Sequence, residues 1–255
     1  MDVQNKSALI TGGGTGIGAA TALRLAKQGC SVAVNYSRSA DAAEAVAEEA
    51  RGLGVKAVAV QGDVADDVDC RRVVTEAVAA LGGLDVLVNS AGTTVFVDHS
   101  DLDGVDIDDW QRLYAVNAIG PFQMMRAAAD HLRADGGGEV INISSVSGVA
   151  GVGSSLPYCA SKAALNNLTV TMARVLAPEV RVNAVAPGFV SGRWWIEGQG
   201  QEVSDRVQGH LENTTPLQKT CTPDDVAATV MGLITGSDLA TGQVLVLDGG
   251  MLIQI

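Results

Sequence analysis

This sequence is short of charge, and what charge it has is of one sign. Asp, Glu, Lys and Arg together make 18% of 255 residues, against 47% hydrophobic ones, so a sizeable core can form and disorder is excluded. Only 17 Lys and Arg stand against 29 Asp and Glu, a formal net charge of −12. Nucleic acid and anionic membranes are therefore not expected as partners. A phosphate-bearing cofactor stays open, because backbone amides at a helix start hold phosphates whatever the net charge. Cysteine is scarce: Cys30, Cys70, Cys159 and Cys221 lie far apart, in neither C-x-x-C nor metal-ligand spacing. That pattern fits reduced thiols in a cytoplasmic protein. His99, His131 and His210 are isolated, and the aspartates between Thr93 and Asp109 have no ligand spacing, so no metal site is expected. No apolar run is long enough to span a bilayer, and the N-terminus carries no apolar signal core.

Glycine, by contrast, is abundant, and its placement is informative. An apolar strand at 7–10 runs into Thr11-Gly-Gly-Gly-Thr-Gly-Ile-Gly18, then a helical run over 19–28. A strand, a glycine turn and a helix in succession form the context in which such a motif binds a dinucleotide. Gly12 takes the tight turn, and Gly16 and Gly18 let the backbone approach a pyrophosphate, with Thr15 and Ile17 on the same loop. The helix start adds free N–H groups and the positive end of its dipole. A second strand, 31–36, ends in Tyr36-Ser37-Arg38. An acidic residue there would bind the adenosine ribose hydroxyls and select NAD. Arg38 and Ser37 suit a 2′-phosphate instead, so NADP(H) is expected in preference to NAD(H).

The alternation continues. An Ala-rich helix spans 40–51, a third strand 56–60 leads to Asp63-Val64, and a helix opens among Asp66, Asp67 and Asp69. A fourth strand, 85–88, ends in Asn89-Ser90-Ala91-Gly92, and helical runs reach from 109 to 117 and from 121 to 133. This pattern predicts an α/β fold: a Rossmann-type, doubly wound, mainly parallel seven-stranded sheet with helices on both faces, in a single domain. Ligands on such sheets bind beyond the carboxyl ends of the strands.

Residues 139–165 hold the chemistry. A buried strand ends at Ser144 and Ser145, and Pro157 opens a helix carrying Tyr158 and Lys162 four residues apart on one face. A phenol titrates near pH ~10, and a nearby ammonium lowers that value, so Tyr158 can move a proton on a substrate oxygen. The Ser145 hydroxyl can hydrogen-bond the same oxygen as charge develops. A sixth strand, 180–185, closes in Pro187-Gly188, and a last helix, 223–235, precedes a strand at 242–248. Residues 193–215 show no clean period and read as an irregular substrate lid at about 190–216. Trp194 and Trp195 would line a substrate pocket or pack in a subunit interface.

With these residues assembled, the chain resembles the short-chain dehydrogenase/reductase family in its compact single-domain branch, over nearly its whole length. Thr11-Gly-x-x-x-Gly-x-Gly18 looks like the cofactor loop, Asp63-Val64 like the adenine-contacting pair, and Asn89-Ser-Ala-Gly92 like Asn-Asn-Ala-Gly with Ser90 as a departure. Asn117, Ser145, Tyr158 and Lys162 match the catalytic tetrad, and Pro187, Gly188 and Val190 the segment beside the nicotinamide. The resemblance implies hydride transfer between the nicotinamide and a carbonyl carbon, with Tyr158 as general acid/base and Ser145 orienting the oxygen. It implies that Lys162 tunes Tyr158 and holds the nicotinamide ribose, and that Asn117 fixes a relay water. A homotetramer is also implied. Gly192 stands where many relatives carry Thr, removing a hydroxyl that could hold the carboxamide. Gly136 and Glu179 stand where carrier-protein reductases place basic residues. The expected substrate is therefore a small free ketone or secondary alcohol, with a 3-oxoacyl-carrier reductase or a non-catalytic dinucleotide sensor as alternatives.

Overall fold

The hydrophobic pattern builds seven short strands: β1 (Ser7–Thr11), β2 (Ser31–Tyr36), β3 (Ala57–Gln61), β4 (Val86–Asn89), β5 (Gly138–Ile143), β6 (Val180–Pro187) and β7 (Val244–Leu247). The computed structural model describes residues 1–134 and 136–253. All strand pairs are parallel, in the order β3-β2-β1-β4-β5-β6-β7. The chain leaves β1 in one direction and returns to its other side at β4, so the switch point of the sheet lies between these two strands.

Alternate residues on each strand feed two cores. Ile10, Val34, Val88, Ile141 and Val185 face α1 (Gly16–Lys27), α2 (Ala40–Gly52) and α10 (Pro223–Thr235). Leu9, Ala33, Leu87, Val140 and Val182 face α3 (Asp67–Leu81), α5 (Gly120–Arg133) and α7 (Leu156–Leu176), the last preceded by the single-turn α6 (Ser147–Ala150). Burial on both faces explains why these strands read as nearly continuous apolar runs.

Two stretches differ from the sequence expectation. The helical runs at 109–117 and 121–133 are one continuous helix: α4 (Ile107–Tyr114) passes through a π-helical turn, Ala115–Ile119, into α5. Pro121 supplies the reason. It has no N–H to donate, and its ring would strike the carbonyl four residues back, that of Asn117. The helix widens there instead, and Gly120 N–H bonds back to the Ala115 carbonyl. The expected irregular lid is helical, as α8 (Arg193–Gln199) and α9 (Gln201–Thr214). Its missing period has a cause: α8 has no buried residue, and its order comes from aromatic contacts outside the helix.

The energetic weight lies in the two cores rather than in surface ion pairs. Leu9→Ala should lower unfolding free energy by about 3 kcal/mol, because Leu9 is fully buried. Arg24→Ala, which breaks a two-pronged but exposed pair with Asp224, should cost about 1 kcal/mol or less. Denaturant titration of both variants checks the ordering.

Candidate active site

At the end of β1, Gly12 has φ +60°, and a β-carbon there would come within 2.9 Å of Ala91 Cα. A β-carbon on Gly18 would collide with the Gly12 carbonyl, whereas Gly16, at φ +54°, faces open space. Thr15 caps α1 in extended conformation with no side-chain hydrogen bond, and Ile17 is half-buried behind it. The first-turn amides of α1 thus point into an open glycine-lined cradle of the kind that takes a pyrophosphate. Thr11, the first residue of the loop motif, ties this loop to the next strand end: its Oγ1 accepts from Ser90 N (3.0 Å) and Ala91 N (3.1 Å).

The other expected cofactor residues fall around this cradle. Tyr36 ends β2, Ser37 and Arg38 follow it, and Asp63 and Val64 follow β3, with Asp63 exposed and Val64 buried. Asn89 and Ala91 leave β4, and Pro187, Gly188 and Val190 leave β6, where Gly188 N bonds to Leu247 O at 2.8 Å. Asn89 is turned inward: its amide donates to Asn142 Oδ1 at 2.8 Å, and its own Oδ1 has no hydrogen-bond partner.

Across the switch point, α7 presents Tyr158. Ser155 caps this helix by accepting from Tyr158 N at 3.4 Å, and Pro157 occupies its first turn. Lys162, one turn on, is 4% exposed, and its Nζ donates to Ile143 O at 2.8 Å, pinning α7 to the end of β5. Asn117 clips the loop after β4: Nδ2 donates to Thr93 O (2.9 Å) and Ser161 Oγ (3.0 Å), and Oδ1 accepts from Thr93 N (2.9 Å). Its amide is therefore fully used. Pro121, four residues on, cannot donate to the Asn117 carbonyl, so the ordinary α-helical bond to that oxygen is missing. A methyl group placed on Gly92 would lie 3.5 Å from Asn117 Oδ1, 3.8 Å from Lys162 Nζ and 3.8 Å from the Trp194 ring. Four expected site residues from four elements thus meet at one point.

The electrostatics depart from expectation. Burial pushes the Tyr158 phenol up to about 12, and the hydrogen bond with Ser145 pulls only partly the other way. The expected lowering by Lys162 is not found. Its Nζ sits 5.7 Å from the Tyr158 ring centroid and is engaged by the Ile143 carbonyl, and burial lowers its own pKa to about 8. The protein therefore holds the phenol protonated. Ser145 donates to Ser147 Oγ at 3.0 Å and accepts from Ser147 N at 3.1 Å, which fixes its hydroxyl beside the phenol. The Trp194 ring lies 6.3 Å from that of Tyr158, and Trp195 is wedged between Phe96 and Phe189 at 5.3 and 5.0 Å.

Residues 6–199 match the family model described as short chain dehydrogenase. The chain belongs to the short-chain dehydrogenase/reductase family. It is similar to a Streptomyces violaceoruber protein named as a ketoacyl reductase of the granaticin polyketide synthase, 41% identical over 95% of this chain and 94% of that one. It is also similar to the 3-oxoacyl-acyl-carrier-protein reductase of Staphylococcus epidermidis, 37% identical over 97% of this chain and 99% of that one. Among solved structures, a short chain dehydrogenase from Burkholderia cenocepacia in complex with NADP superposes with a TM-score of 0.86, at 35% identity over 98% of this chain and 99% of that one. An NAD+-bound xylitol dehydrogenase superposes with a TM-score of 0.88, at 28% identity over 98% of this chain and all of that one. This short-chain dehydrogenase/reductase is thus an NAD(P)-dependent oxidoreductase acting on CH–OH or C=O groups. Among the described residues no helix is long and apolar enough to cross a membrane, and no cluster of metal-ligating side chains occurs.

Burial of Lys162 has a consequence for stability. Its folded pKa of about 8 lies below the 10.5 of a free side chain, so the unfolded chain binds the extra proton between those values. Wild-type stability from this group is lowest below pH 8 and recovers as pH rises toward 10.5. Lys162→Met should therefore be more stable than wild type by up to about 3 kcal/mol below pH 8, with the difference vanishing by about pH 10.5. Paired denaturant titrations across this range measure it.

Proposed function

We propose that this enzyme is an NADP(H)-preferring reductase of a small free ketone, and in reverse a secondary-alcohol dehydrogenase, with Tyr158 as its general acid/base. The observation that carries this reading is the convergence of Ser145, Tyr158, Lys162 and Asn117 at the carboxyl ends of β4 and β5, beside an open dinucleotide cradle. When bound, the nicotinamide supplies or accepts the hydride. Ser145 turns its hydroxyl proton from Ser147 Oγ to the carbonyl oxygen and so orients it, and Tyr158 gives that oxygen its proton. A phenol kept protonated is set as an acid, which favours the reductive direction. Lys162 would return the proton, and the Asn117 carbonyl, denied its α-helical donor by Pro121, would hold a relay water.

NADP(H) is favoured by the end of β2, where Arg38 is exposed and has no ion-pair partner among the described residues. We read α8 and α9 as the substrate lid, with Trp194 as an apolar wall. A homotetramer is supported by the exposed apolar faces of α4–α5, at Ile107, Ile119 and Phe122, and of the edge strand β7, at Leu245 and Val246.

A second reading, reduction of a 3-oxoacyl group on a carrier protein, is favoured by the identity with the two ketoacyl reductases. Against it, the exposed Gly136 and Glu179 lie on loops joined by a Gly138 N to Glu179 O bond of 3.1 Å, and neither offers a cation. A panel of free ketones and carrier-bound 3-oxoacyl substrates, run with NADPH and NADH, separates the two. Turnover of free ketones with NADPH is expected, and activity confined to carrier substrates overturns it.

Tyr158→Phe should retain NADPH binding, measured by fluorescence, while losing turnover by about 10²-fold or more. Near-normal turnover would remove Tyr158 from its role. Arg38→Ala should raise KM for NADPH about tenfold and leave KM for NADH nearly unchanged.

A further inference from the structure

Beyond the end of β2 lies a cavity of about 520 Å³, lined by Arg38, Ser39, Ala40, Asp41, Ala42 and Arg193. Five of these residues are consecutive on the approach to and first turn of α2, and the sixth comes from the lid. The lining carries two cations and one anion, in a chain whose net charge is −12. Arg38 is without an ion-pair partner among the described residues. Arg193 uses its Nε on Glu197, one turn along α8, with both side chains more than half exposed. So exposed a pair is weak, and it leaves the outer N–H fork of the guanidinium for another anion.

Glycine bounds the first lid helix at both ends. α8 hangs between Gly192, at φ +127°, and Gly200, at φ +84°, both in conformations that favour glycine. The same backbone accounts for glycine at 192, where a threonine would be strained. Trp195 latches the helix between Phe96 and Phe189, and a β-carbon on Gly198 would collide with Phe96, so that residue must be small for the latch to close. Arg193 and Trp194 are neighbours in this helix. One reaches the Arg38 cavity, and the other lies over Tyr158.

We infer that Arg193 is a second ligand of the adenosine 2′-phosphate, carried on the lid, so that the phosphate distinguishing NADP(H) from NAD(H) also fixes the Trp194 wall of the substrate site. This rests on the NADP(H) reading above and extends it from affinity to lid position. A phosphomonoester offers three oxygens, enough for two guanidinium forks approaching from opposite sides. Because the dianion meets Arg193 only when α8 lies over the cavity, it favours the closed lid over any open one.

The test uses adenosine 2′,5′-bisphosphate and 5′-AMP, which differ only in the 2′-phosphate, titrated calorimetrically into wild type, Arg193→Gln and Arg38→Gln. Tryptophan emission is followed in parallel. Arg193→Gln should bind the bisphosphate about tenfold more weakly and 5′-AMP unchanged. The bisphosphate, and not 5′-AMP, should alter the emission of wild type, and this change should be lost in Arg193→Gln. Unchanged bisphosphate affinity in Arg193→Gln, or an equal loss for both ligands, overturns the inference. If that occurs while Arg38→Gln loses its preference for the bisphosphate, the NADP(H) reading stands without the lid contact. If wild type binds both ligands equally, the NADP(H) reading itself fails and takes the lid contact with it.

Discussion

A parallel sheet covered by helices on both faces leaves polar chemistry one place to gather, the carboxyl ends of its strands. In this enzyme the constraint is severe, because β1, β4 and β5 are wholly buried along their length. The cofactor loop, the Asn89 exit, Ser145 and the Pro187 exit all lie at that rim because the sheet interior has no room for them. The switch point between β1 and β4 lies in this rim. Three side-chain hydrogen bonds join α7 to the end of β5: Asn142 Nδ2 to Thr169 Oγ1, Ser144 Oγ to Asn166 Oδ1 and, closest to Tyr158 along the helix, Lys162 Nζ to Ile143 O.

The Lys162 bond has an electrostatic counterpart. Lys162 is held by the Ile143 carbonyl, and among the described residues no carboxylate pairs with it, so burial lowers its pKa to about 8, while burial raises that of Tyr158 to about 12. The phenol therefore stands protonated beside the Ser145 hydroxyl. In the π turn of α4–α5, Pro121 denies the Asn117 carbonyl its usual donor while the Asn117 amide clips Thr93 and Ser161.

Much of this was legible in the residues. Strands with branched apolar side chains, glycines where a β-carbon would collide, and a phenol and amine one turn apart are local signals, and they mark the cradle and α7 directly. What was not legible depends on tertiary partners. The lid showed no period because Trp195 is ordered by Phe96 and Phe189, which lie far away in sequence. The direction of the Tyr158 shift depends on where Lys162 points, and a spacing of four residues leaves that open between the phenol and the Ile143 carbonyl. The inward turn of Asn89 toward Asn142 depends on the pairing of β4 with β5. The π turn could have been read, since Pro121 four residues after Asn117 forbids a regular α-helix there.

The central claim is that one substrate oxygen is held jointly by Tyr158 and Ser145 above the dinucleotide cradle. A crystal structure of the enzyme with NADP+ and an unreactive ketone analogue tests it most directly. The account predicts the carbonyl oxygen at about 2.7–3.2 Å from both the Tyr158 phenol and the Ser145 hydroxyl, with the pyrophosphate against the first turn of α1. An analogue oxygen bound away from Tyr158, or a dinucleotide outside the Gly12–Gly18 loop, would contradict it.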